Sequence, residues 1–147
     1  MMKQAWEGYG LQVVREPQLP FPKPQISCPA DAYDILKRQL AYEDREVFAT
    51  VILDARNQVM GINTVSVGTV SASLVHPRET FKPAIIMGAS SIILAHSHPS
   101  GDPSPSKDDI ELTRRLGKAG EILGIEVLDH IIIADNQFLS LKEKGLL

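Results

Sequence analysis

Apolar and polar positions change rhythm several times along the chain, and each change predicts an element. From Asp31, a residue suited to capping a helix, the spacing of Ile35, Leu36 and Leu40 predicts a helix to about Leu40. The run Glu46-Val47-Phe48-Ala49-Thr50-Val51-Ile52-Leu53 is rich in β-branched residues and predicts a strand. Asp54-Ala55-Arg56-Asn57 reads as a turn, and Val59 to about Val70 as one or two strands pairing back. Pro77 suits a first helical turn, so a helix is expected through Met87. Ser91-Ile92-Ile93-Leu94-Ala95 is a short, wholly apolar strand. A loop of Gly, Ser and Pro follows, then a helix from about Ser104 to Leu123, with Ser104 as N-cap and Pro105 as its first residue. Ile125 to Ile133 and Phe138 to Leu141 complete the series as strands.

Helices and strands alternate, which predicts an α/β fold. The tight turn after Asp54 requires an antiparallel pair, so the expectation is a single mixed β-sheet flanked by helices. Residues 1–29 differ in texture. Five of the ten prolines fall there, at Pro17, Pro20, Pro22, Pro24 and Pro29, and such density favours extended chain. The division expected is a proline-rich N-terminal arm, 1–29, and a globular domain, 30–147. The arm reads either as a tail or as carrying one short strand near Leu11-Gln12-Val13-Val14. No internal repeat is visible.

Composition narrows the class. At 147 residues, with 44% hydrophobic and 22% charged positions, the chain is long enough for one core without staples. Fifteen basic against eighteen acidic residues give a net charge of −3, so strong nucleic-acid binding is not expected. Cys28 is the single cysteine, which rules out an internal disulfide and a multi-cysteine metal cluster. The first residues carry no signal-peptide pattern and the apolar runs are far short of the ~20 residues of a membrane span, so a cytoplasmic location is expected.

Candidate chemistry begins at Leu94-Ala95-His96-Ser97-His98-Pro99. Residues i and i+2 of an extended chain face the same way, so both imidazoles can converge on one ion. In the next helix, Ser106, Asp109, Leu112, Leu116, Ala119 and Leu123 share one face. That face is mostly apolar, and a carboxylate on it needs a partner or a cation. Asp109 also reads as the acidic half of a Ser-x-x-Asp capping box at a helix start. Two imidazoles and a carboxylate make three ligands, which leaves a fourth tetrahedral position open, as catalytic zinc sites do.

The run His96-Ser97-His98-Pro99, six residues, then Ser106-Lys107-Asp108-Asp109 resembles the JAMM (MPN+) pattern His-x-His-Pro-x6-Ser-x-x-Asp at every fixed position. His76-Pro77-Arg78-Glu79, His98-Pro99-Ser100-Gly101-Asp102-Pro103, Pro105-Ser106 and Leu128-Asp129-His130 resemble the RadC branch of that metalloprotease family. The resemblance covers residues 30–147 and implies a JAB/MPN fold similar to that of cytidine deaminases. It further implies one zinc ion per chain on His96, His98 and Asp109, and a peptide or isopeptide bond of a protein or peptide as substrate. In that family a glutamate heading a core strand takes the proton of the zinc-activated water and passes it to the leaving amine. The matching position is Glu46, which otherwise reads as a solvated strand-end residue; Glu43 is its nearest competitor. Ser106 would donate to the developing oxyanion.

Asp129 and His130 interrupt an apolar strand and are expected to form a buried hydrogen-bonded pair rather than ligate. His76 and Arg78 suit either a substrate carboxylate or helix capping. About 29 residues precede the RadC-like stretch, so the helical domain usual before it is not expected here, and Ser97 stands where asparagine is common. Two other functions compete, a RadC-type DNA-repair accessory role and a non-catalytic MPN scaffold. The charge balance argues against the first and the complete ligand set against the second. A zinc deaminase would need a Cys-x-x-Cys pair, which a chain with Cys28 alone does not have. The sequence names neither a partner nor an oligomeric state.

Overall fold

A computed structural model describes residues 23–71 and 74–147. The strand expected near Leu11–Val14 lies outside the described residues. Within them the chain runs α1 (Pro29–Leu40), β1 (Val47–Leu53), β2 (Val59–Val67), α2 (Pro77–Met87), β3 (Ser91–Ser97), α3 (Lys107–Leu123), β4 (Glu126–Ala134) and β5 (Gln137–Ser140).

The five strands form one mixed sheet in the order β2-β1-β3-β4-β5. β1 is antiparallel to β2 and β3, β3 is parallel to β4, and β4 is antiparallel to β5. The fold is therefore the α/β class with a mixed sheet that the element pattern predicts. The parallel pair needs a crossover, and α3 supplies it.

Central position explains why β1 and β3 are buried along their whole length and show no polar alternation. Period-2 geometry sorts their side chains. Val47, Ala49, Val51 and Leu53 join Ile93, Ala95, Ile131 and Ile133 beneath Leu36 and Leu40 of α1. Phe48, Ile52, Ile92 and Leu94 face the other way, onto Phe81 of α2 and Leu112 and Leu116 of α3. Ile26, ahead of α1, is buried in the first cluster, and Gln25 bridges to Gln58, so core packing begins before Pro29.

Three local expectations need correction. Asp31 does not sit at the N-cap of α1; Cys28 does. Asp31 reaches back from the third helical position to the Ser27 and Cys28 amides, at 2.7 and 3.0 Å. The N-cap of α3 is Ser106, not Ser104. A reciprocal box with Asp109 sets that start two residues later than the Ser-Pro pair suggests. Leu123 is 45% exposed rather than on the buried face, whereas Gly120 is buried and packs tightly on the chain that follows α3. An added Cβ on Gly120 would stand 2.4 Å from the Ile125 carbonyl.

Candidate metal centre

The site forms where the carboxyl end of β3 meets the amino end of α3. His96 is the sixth residue of β3 and points to the α3 face of the sheet, with Phe48 stacked beside its ring at 6.2 Å between centroids. His98 follows one residue past the strand. Its amide donates to the Ile133 carbonyl at 2.8 Å, and the chain then turns through Gly101, whose φ of +84° favours glycine. That turn brings the Asp102 carbonyl to 2.8 Å from His98 Nδ1. A carbonyl only accepts, so Nδ1 carries a hydrogen, and in the neutral ring Nε2 is the free lone pair.

Asp109 is both things its sequence context allows. Its Oδ2 accepts from the Ser106 amide at 2.7 Å while its own amide donates to Ser106 Oγ at 3.0 Å, which closes the capping box. The same carboxylate meets the histidines, with Oδ1 3.2 Å from His96 Nε2 and Oδ2 3.3 Å from His98 Nε2. The two Nε2 atoms lie 2.7 Å apart. Burial pushes the Asp109 carboxyl up. The His96 and His98 rings and the Ser106 amide outweigh it and hold the carboxyl well below the usual carboxylate range. Asp109 in turn raises the pKa of His98 against the effect of burial, and the Asp102 carbonyl and the Glu46 charge act with it.

His96, His98 and Asp109 form a group that can hold a metal ion. Bonds of about 2.0–2.1 Å at tetrahedral angles put ligand atoms about 3.3 Å apart. Each imidazole nitrogen has one Asp109 oxygen near that edge, Oδ1 for His96 and Oδ2 for His98, and the imidazole pair sits about 0.6 Å inside it. Nitrogen lone pairs this close to each other and to an anionic oxygen need a cation or a proton between them. The donor set thus fits a small divalent ion, and no fourth protein ligand joins it among the described residues. His96 is fully buried whereas the His98 side chain keeps 13% of its surface, so access is from the His98 side.

That side opens into a cavity of about 450 Å³ lined by Glu46, Val70, His98, Ser106, Asp108 and Asp109 among others. Glu46 precedes β1 and is tightly placed. Ser97 Oγ accepts from the Val47 amide at 2.9 Å and donates to the Arg45 carbonyl at 3.3 Å, which clamps the backbone on both sides of Glu46. The Gly68 amide donates to the Glu46 carbonyl at 2.7 Å, and the Val70 amide to its Oε2 at 2.6 Å. β2 ends at Val67, short of the expected Val70, and Thr69 and Val70 line the cavity instead. Glu43 is exposed and does not line this cavity. Ser106 lines it as the N-cap of α3; its lone pair takes the Asp109 amide and its hydroxyl hydrogen remains for donation.

His76 turns out to be a cap. Its Nδ1 accepts from the Arg78 amide at 3.1 Å, and the Arg78 side chain lies 3.6 Å from Glu79. Asp129 and His130 are buried and hydrogen-bonded to each other as expected. The bond runs through the His130 amide, which donates to Asp129 Oδ1 at 2.7 Å, while the two side chains point to opposite faces of the strand. Asp129 takes Ser140 Oγ at 2.6 Å and the Lys142 amide at 3.1 Å. His130 Nε2 lies 2.8 Å from His96 Nδ1, behind the metal ligands. Reading by residue missed Thr113, the contact of His130 with His96 and the clamp that Ser97 makes beside Glu46. The i, i+4 spacing of Asp109 and Thr113 on one helix was the one signal of this layer in the sequence.

Comparison with known proteins agrees with this geometry. A family model described as "RadC-like JAB domain" matches residues 26–146. The chain is 59% identical over 122 residues to a "UPF0758 protein" of Moorella thermoacetica, covering 83% of this chain and 53% of that one. It is 53% identical over 128 residues to one from Desulfitobacterium hafniense, covering 87% and 56%. A third, from Rubrobacter xylanophilus, is 51% identical over 137 residues, covering 93% and 58%. The chain thus spans little more than half the length of these relatives. No helix among the described residues is long and apolar enough to cross a membrane. The matched span contains the whole sheet and all three side chains of the candidate metal group, and the chain belongs to the family of RadC-like JAB domains.

Proposed function

We propose that the chain is a zinc-dependent metallohydrolase that cleaves peptide or isopeptide bonds, with Glu46 as proton carrier and Ser106 as oxyanion donor. One observation supports the reading above all others. His98 and Asp109 of the three-residue group, the fixed Glu46 carboxylate and the Ser106 hydroxyl all border a single cavity, with His96 buried directly behind them. A bound zinc ion supplies a Lewis acid there and brings the pKa of water to about 7. His96, His98 and Asp109 hold it.

The remaining work falls to the protein. Val70 occupies Oε2 of Glu46, so Oε1 is the oxygen left to take a proton from the attacking water and return it to the leaving amine. The Ser106 hydroxyl donates to the carbonyl oxygen as charge builds on it. Its lone pair is tied to the Asp109 amide, which fixes where that hydrogen can point. Asp102, Asp108 and Glu46 give the cavity an acidic rim that repels phosphate and suits an amide substrate, in line with weak nucleic-acid binding.

The test is a panel of peptides and isopeptides incubated with zinc-loaded protein, with and without chelator. Cleavage that stops on chelation and is missing from the His96→Ala/His98→Ala variant is the expected result. Folded, zinc-loaded protein that cleaves nothing in the panel favours a non-catalytic scaffold, and cleavage indifferent to chelation overturns the proposal.

A further inference from the structure

His130 lies at the centre of β4, fully buried, with both ring nitrogens engaged. The direction of each bond follows from one end of the chain of contacts. The Asp109 carbonyl only accepts, so Thr113 Oγ1, 2.6 Å away, donates to it. A hydroxyl has one hydrogen. Thr113 Oγ1 therefore offers only lone pairs to His130 Nδ1, 2.5 Å away, and that nitrogen carries the hydrogen. The ring is fully buried and its two nitrogens meet a hydroxyl and another imidazole rather than a carboxylate, surroundings that favour the neutral form. Its Nε2 is then an acceptor, and His96 Nδ1, 2.8 Å away, is the donor. A neutral His96 with its hydrogen on Nδ1 has a bare lone pair on Nε2, the atom that faces His98 and Asp109.

We propose that His130, oriented by Thr113, is a positioning residue that locks His96 in the tautomer whose Nε2 is free to bind the metal ion. The relay starts on a ligand from β3 and ends on the backbone of a ligand from α3, so it also ties the two elements together. A metal-bound histidine needs its second nitrogen satisfied to hold ring and tautomer in place. His98 has the Asp102 carbonyl for this purpose, and His96 has His130. The use of the relay rests on the metal-centre reading, whereas its hydrogen-bond directions do not, so the two can fail separately.

The experiment uses the full chain labelled with 15N-histidine, with His96 assigned by its loss in His96→Ala. Long-range 1H–15N spectra are recorded with zinc and, after chelation, at a pH above the histidine range. Zinc affinity is measured by chelator competition. His96 is expected as the Nδ1–H tautomer in both wild-type states. His130→Leu removes the acceptor, and should mix the tautomers and weaken zinc binding by about 10- to 100-fold. His130→Gln supplies an amide oxygen at a similar reach and should recover most of that loss. Thr113→Val should weaken zinc binding in the same direction, and Thr113→Ser should restore it. A merely structural role would lower the melting temperature of these variants without moving the tautomer. If His130→Leu does not fold, the wild-type spectra and the Thr113 pair decide. An Nε2–H tautomer of His96 in the chelated wild type, or a folded His130→Leu with wild-type zinc affinity, would overturn the proposal. If the wild type holds no zinc but His96 is Nδ1–H, the relay stands and the metal-centre reading fails.

Discussion

Replacing Glu46 by Gln separates proton transfer from everything else this residue does. The surroundings set the size of each effect. Three of the contacts that place residue 46 involve only backbone on its side: Ser97 to Arg45 and Val47, and Gly68 to the Glu46 carbonyl. These survive the substitution. The Val70 amide donates to Oε2 at 2.6 Å, and the amide oxygen of Gln can take the same bond. What changes is a charged acceptor becoming a neutral one, which roughly halves such a bond and costs about 1 kcal/mol. In a domain of this size that lowers Tm by about 2–4 °C and leaves the protein folded at assay temperature. Removing the base acts on the barrier, by a factor of about 10²–10⁴ in rate, or about 3–5 kcal/mol. The catalytic effect therefore dominates by several-fold in energy. The assay is hydrolysis of a substrate identified from the peptide and isopeptide panel, with zinc content and thermal melts run on the same preparation. A loss of at least about 10² with zinc retained is expected. Activity within a few-fold of wild type refutes the base role. A parallel loss of zinc refutes it differently, since Glu46 would then be organising the metal rather than moving a proton.

Ser106→Ala should cost about 1 kcal/mol through the lost cap of α3, read from urea unfolding, and should also slow hydrolysis by about 10² if the hydroxyl serves the oxyanion. Ser106→Asn restores a cap but no hydroxyl, so stability should return while activity stays low; joint recovery would leave Ser106 with a capping role alone. Gly120→Ala should destabilise by about 1–3 kcal/mol despite the better helix propensity of alanine, because its Cβ meets the Ile125 carbonyl at 2.4 Å and Phe81 and Val127 at 3.3 Å. Unchanged unfolding free energy in that variant would mean that α3 can shift on the sheet without penalty.

The convergence of His96, His98 and Asp109 was legible because each obeys a short-range rule. His96 and His98 are two apart at a strand end, and Asp109 sits one turn before Leu112 on a helix with period 3.6. The mixed α/β architecture followed from the same periodicities. What escaped depends on pairing. His130 stands opposite Leu94 in the parallel β3–β4 register, which no local pattern gives. Its bond to the neighbouring Asp129 runs through the His130 amide, which leaves the ring free for partners on the other face. The α3 start was misplaced because Ser104-Pro105 and Ser106-x-x-Asp109 are both sound start signals, and only reciprocal bonding chose between them. The Ser97 clamp on Glu46 is likewise a contact across fifty residues of chain.

The most direct measurement is the metal content of the purified chain, loaded with zinc, passed through a desalting column and analysed by elemental mass spectrometry beside His96→Ala/His98→Ala. Three ligands meeting at one point predict about one zinc per wild-type chain and close to none in the double variant. Zinc retained at full occupancy by a folded double variant would contradict the metal centre, and the hydrolytic function proposed on it would fall with it.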